Sequence, residues 1–169
     1  MKNLILMIVS TALLFSLAAC GQASQEAEPT ESKVSIANPY GTYGSAEEMQ
    51  QAANLEVQLP AELPSWVTET IYRAIPGELV EVIYQGGTNE IRVRIKNGDQ
   101  NISGVYDTAA REEKDVAAGE NTVHLKGESD TDFTVFVATW FTAEGRTYSV
   151  TSPEGIPESV MLDLIGQIR

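Results

Sequence analysis

The chain has a single cysteine, Cys20, and a single histidine, His124, in 169 residues. One thiol cannot close an internal disulfide, so packing alone must hold the fold together. One histidine and one cysteine also rule out the common zinc patterns, which draw on several such ligands. The Gly-x-Ser-x-Gly elbow of serine hydrolases is absent. Cations are scarce as well: 11 Lys and Arg face 24 Asp and Glu, for a formal net charge of −13. That balance argues against nucleic acid and against adhesion to anionic head groups. No internal repeat marks a solenoid or propeller. The longest apolar run, Leu4 to Ala19, is interrupted by Ser10, Thr11 and Ser16. It falls a little short of the roughly 20 residues that a membrane-spanning helix needs.

What is present at the N-terminus has the order of a secretory leader: Lys2, the apolar run, then small residues. Leu17-Ala18-Ala19-Cys20 resembles the lipobox of bacterial lipoproteins. The resemblance implies that the leader 1–19 is cut between Ala19 and Cys20. It also implies that the Cys20 thiol carries a diacylglycerol and that palmitate-type acyl chains hold the protein at a bilayer. Each buried CH₂ contributes about 0.8 kcal/mol, so two chains suffice for stable anchoring. A catalytic thiol would need an electropositive, folded setting; Cys20 stands between a leader and a polar tail. The following stretch, GQASQEAEPTESK, has no aromatic or β-branched apolar residue. It cannot offset its ordering entropy by burial, which predicts a disordered spacer over 20–33. Residues 34–169 then form one domain of ordinary size.

Within that domain Ser45-Ala46-Glu47-Glu48 has capping-box spacing and predicts a short helix to about Asn54, with Ala46, Met49 and Ala53 as its apolar stripe. From Trp66 onward the period changes to two. Strands are expected over 68–75, 78–85, 90–96, 115–118, 122–126, 133–141 and 146–151, with Pro76-Gly77 and Gly86-Gly87 as tight turns. Residues 97–110 are turn-rich and raise the question of a lid. Pro157 suits the first turn of a closing helix, whose stripe is Val160, Met161, Leu164, Ile165 and Ile168. The fold class is therefore α+β: a mostly antiparallel sheet of about six to seven strands. A short N-terminal helix and a C-terminal amphipathic helix are packed on it.

Candidate chemistry is sparse. His124 would need a positioned partner and a cleft to act as a general base, and a lone strand histidine is more often a satisfied surface residue. Glu128, Asp130 and Asp132 could offer oxygen ligands to Ca²⁺, but the calcium-loop pattern is missing and a solvated acidic turn is the expected reading. No catalytic residue, metal or cofactor is assigned. Arg92, Arg94 and Lys96 form a basic row. It could grip an anion, although pairing with Glu81 and Glu69 across neighbouring strands is favoured. Strict alternation over 133–141 places Phe133, Val135, Val137 and Phe141 on one face with Tyr148 and Val150. Phe136, Ala138 and Trp140 would then lie on the other, beside Thr147, Ser149 and Thr151. An open face would make Trp140 and Phe136 an aromatic platform; burial is favoured, because tryptophan is highly buried on average.

Val80-Glu81-Val82-Ile83-Tyr84, Glu90-Ile91-Arg92-Val93-Arg94, Ile102-Ser103-Gly104-Val105-Tyr106, Val123-His124-Leu125-Lys126-Gly127 and Ala138-Thr139-Trp140 with Tyr148-Ser149 follow one another in that order. In this the chain resembles a group of uncharacterised lipoproteins of clostridial-type Gram-positive bacteria, over roughly residues 38 to 168. Their C-terminal domain, of unknown function, also occurs in membrane-anchored regulatory proteins. The resemblance implies a surface lipoprotein with an antiparallel sheet and a closing helix, and brings no catalytic residues. The expected function is a non-catalytic domain tethered to the extracytoplasmic face of the cell membrane. It would bind a small ligand, a cell-wall fragment or a membrane protein through Trp140 and Phe136, with Arg92 and Arg94 as second choices. The alternatives are a secreted hydrolase using His124 and an assembly protein of a membrane complex.

Overall fold

The computed structural model describes residues 38–104 and 112–169; the leader, the Ala19–Cys20 junction, the spacer and residues 34–37 lie outside the described residues. The elements run β1 (Gly41–Tyr43), α1 (Ala46–Ala53), β2 (Glu69–Ile75), β3 (Leu79–Gly86), β4 (Asn89–Asn97), β5 (Glu112–Ala118), β6 (Asn121–Ser129), β7 (Phe133–Phe141), β8 (Arg146–Pro157) and α2 (Glu158–Gln167). All eight strands form one sheet in the order β1-β2-β3-β4-β8-β7-β6-β5, antiparallel at every step. The sheet is thus two four-stranded meanders joined where β4 lies against β8. The class is α+β, with eight strands rather than six to seven. The extra strand, β1, has three residues, too few to show an alternating pattern, and it caps β2 through Gly41↔Ala74 and Tyr43↔Tyr72.

Helix α1 begins as its capping residues dictate. Ser45 Oγ accepts from the Glu48 N–H at 3.2 Å, while the Glu48 carboxylate reaches back to the Gly44 N–H at 2.9 Å. It ends at Asn54, which takes the left-handed conformation at φ 52° and bonds back to the Gln50 and Gln51 carbonyls. Met49 and Ala53 are its buried stripe.

Both helices cover the same face of the sheet. The core joins Met49 and Ala53 of α1, and Met161, Leu164 and Ile165 of α2, to one side of the strands: Val80, Val82, Ile91, Val93, Ile95, Leu125, Val135, Ala138, Trp140, Tyr148 and Val150. Strand β8 runs six residues past the expected end, through Pro157, which caps α2 rather than forming its first turn. The extension arises because the β7–β8 ladder shifts between Val135 and Val137. A bulge there lets Ile156 pair with Val135 and Pro157 with Thr134. Gly155 makes this possible: at φ 71° it lies so close to Thr134 and Phe136 that a side chain there would clash with both.

Candidate binding groove

The hairpin joining β7 to β8 sets which residues share a face. Phe141 pairs with Thr147 across the Thr142–Gly145 turn, so Trp140 stands opposite Tyr148 and Ala138 opposite Val150. The alternation expected for these strands is therefore corrected. Trp140 and Ala138 are on the helix-covered face with Tyr148 and Val150, and Val137, Thr139 and Phe141 are on the other with Thr147, Ser149 and Thr151. A one-residue change of register moves every side chain across the sheet. Phe136 sits at the bulge against Gly155, half-buried. It forms no platform with Trp140.

Trp140 is nonetheless at a site. The indole stacks on the Tyr148 ring, centroids 5.0 Å apart and planes 9° from parallel. The pair forms the floor of a groove of about 1210 Å³ at one end of the sheet. Three parts of the chain meet there: the β5–β6 turn at Gly119–Glu120, the β7–β8 turn at Thr142–Glu144, and the C-terminal half of α2 with Ile168 and Arg169. Leu162, Ile165 and Ile168 give an aliphatic wall, and Phe141, the one large apolar side chain strongly exposed among the described residues, stands at the edge.

Local bonds hold these parts in place. Gln167 accepts from the Ala61 and Glu62 N–H groups at 3.0 and 2.8 Å, fixing the end of α2 to the loop 58–62. Gln58 and Arg169 exchange main-chain hydrogen bonds. Arg146 Nη1 donates to the Glu56 carbonyl at 2.9 Å. On the rim, the nearby Thr142 hydroxyl, the residue's own main-chain N–H and the Arg146 charge hold the Glu144 carboxyl below the usual carboxylate range.

The other residues singled out from sequence lie on the opposite face. Glu81, fully buried, is ringed by three guanidinium groups. Arg94 Nε donates to its Oε1 at 2.7 Å, Arg92 Nε stands 3.8 Å from the same oxygen, and Arg73 Nη1 lies 3.1 Å from Oε2 at an angle that makes no hydrogen bond. Arg94 also donates to the carbonyls of Ile102 and Ser103, so it clips the start of the 97–110 segment onto the sheet; residues 105–110 lie outside the described ones. Arg92 is further paired with Glu90 at 2.8 Å. The expected Glu81 pairing is present, but Glu69 accepts from Gln85 instead. These arginines are consumed by protein partners.

His124 lies on the same face, partly exposed, with Nδ1 2.8 Å from Asp115 and Nε2 3.3 Å from Glu113. It is not among the groove residues. Among the described residues no cluster of three or more His, Cys, Asp or Glu side chains is placed to hold a metal ion.

No protein-family model matches this chain, and no curated protein or solved structure matches it. The groove residues that sequence reasoning missed are Tyr148, Arg146 and the α2 wall. The α2 stripe was visible as a helical pattern, but a stripe looks the same whether it meets a core or lines a cavity.

Proposed function

We propose that this chain is a lipid-anchored, extracytoplasmic binding domain without catalytic activity, and that its ligand occupies the groove at the end of the sheet. The observation that carries the reading is the groove itself. A stacked Trp140–Tyr148 floor and an aliphatic wall, edged by a polar rim, combine in one concave site the apolar surface and the polar groups with which a ligand is held and oriented. The lipobox-like Leu17–Cys20 supplies the tether, and the spacer supplies reach. Trp140 remains the central contact, now as floor rather than platform, while His124 stands outside the groove and is given no chemistry.

Gly166 offers the test. It lines the groove near the end of α2, and a Cβ built on it meets no atom within 4 Å. Gly166→Phe should therefore project into the groove and obstruct it beside α2 without disturbing the core. Full-length protein in detergent would be screened by thermal shift against muropeptides, glycans and amino acids. A shift present in the wild type and lost in Gly166→Phe locates binding in the groove. A shift that survives the substitution, or no shift from any class, overturns the proposal.

A further inference from the structure

Trp140 is 5% and Tyr148 3% exposed, yet among the described residues neither the indole N–H nor the phenol hydroxyl has a hydrogen-bond partner. Buried tryptophans and tyrosines ordinarily satisfy these groups, because an unpaired donor in the interior forfeits its bond to water and gains none. Neither group is among the fully enclosed polar atoms left without a partner. Both residues line the groove. The indole N–H and the phenol hydroxyl therefore each retain some exposure, at residues that line the groove.

The same geometry limits what can serve them. Each ring has one face covered by the other, and the indole N–H and phenol hydroxyl at their edges are the donors that the pair offers a ligand. Opposite them, Leu162, Ile165 and Ile168 recur every three residues. Leu162 and Ile165 on α2, with Ile168 extended just past its end, give a wall about 10 Å long, close to three residues of extended chain at about 3.3 Å each. Charge on the groove is balanced, Arg146 and Arg169 against Glu120 and Glu144, on a chain of net −13. An anionic ligand such as a fatty acid would approach against the field of the whole molecule.

We infer that the groove takes an uncharged, extended peptide segment of about three residues, its carbonyl oxygens accepting from Trp140 Nε1 and Tyr148 Oη and its aliphatic side chains lying on α2. This deepens the binding reading above and rests on it. An extended chain suits both sides of the groove, since it carries carbonyl acceptors along its edge and apolar side chains at alternate positions.

The test uses the full-length chain in detergent, with acetyl-Ala-Leu-Ala-amide as the probe and decanoate as the anionic comparison. Titration should show saturable binding of the peptide and none of decanoate. Tyr148→Phe and Trp140→Phe, which keep a ring and remove a donor, should each weaken peptide binding about five- to tenfold. Tyr148→Phe should leave the melting temperature unchanged, since its hydroxyl has no partner inside the fold; a clear fall would show a structural bond and overturn the assignment. Peptide binding that ignores both substitutions would also overturn it while leaving the groove as the binding site. Binding of decanoate alone would reject the peptide class, and failure of every probe, muropeptides and glycans included, would reject the binding reading with it.

Discussion

Glu81 is the residue on which the face of the sheet away from the helices turns. One buried carboxylate neutralises part of the charge of Arg73, Arg92 and Arg94, and through Arg94 it holds the Ile102–Ser103 backbone. Removing one member of a buried ionic cluster leaves the others uncompensated, which is far more costly than the pair is stabilising. Glu81→Ala is expected to destabilise the fold by about 3–5 kcal/mol, read by urea denaturation. A loss below about 1 kcal/mol would show that water replaces the carboxylate at this site. The pairing of Glu81 with the arginine row was legible from sequence, because opposite charges on adjacent strands are common partners. The burial was not. Nothing in the residue types says that Glu81 is fully enclosed while Glu69, two pleats away on the next strand, is exposed.

At the scale of elements, local chemistry was a good guide wherever it acted alone. The Ser45 box starts α1 and Asn54 ends it, both through bonds spanning no more than four residues. Ser45→Ala should lower stability by about 1 kcal/mol in thermal or chemical unfolding, the usual value of an N-cap side chain. The turn at Pro76-Gly77 likewise falls where residue type put it, while the next one is shifted by one residue to Gly87-Thr88, because Gly86 ends β3 opposite Asn89; Gly77 and Gly87 are at positive φ. Strands β7 and β8 show where this guidance fails. Each alternates correctly by itself, but which face of β7 meets which face of β8 depends on a four-residue turn and on one bulge. Both are cross-strand properties, and neither leaves a pattern within a single strand. The same limit hid β1, whose three residues form a strand only because β2 offers an edge.

The whole molecule is acidic, and its response to acid combines two opposing effects. Lowering the pH relieves the mutual repulsion of a chain at −13. Against this, Glu113 has its carboxyl held below the ordinary value, mainly by its bond to the Lys126 ammonium and the attraction of that charge, with His124 adding less. A lowered carboxyl binds fewer protons folded than unfolded, so the stability it contributes is complete above its ordinary value of 4.5 and is lost as pH falls through the folded value. Melting temperatures measured for wild type and Glu113→Gln should therefore differ at pH 7 and converge on acidification below about pH 4.5. A difference independent of pH would assign the effect to packing instead.

By itself the sequence determined the fold class, the capped boundaries of α1, most of the strands, and the pairing of the basic row on β4 with Glu81. These follow from periodicity and from contacts between near neighbours in the chain, which short-range chemistry specifies. Only the tertiary structure decided that Trp140 shares a face with Tyr148, that the helices cover that face, and that an end of it stays open as a groove. Those outcomes depend on how β7, β8 and α2 meet the β5–β6 turn and the loop at 58–62, segments up to about a hundred residues apart. A cavity is a property of the space between elements, and no single element carries its outline.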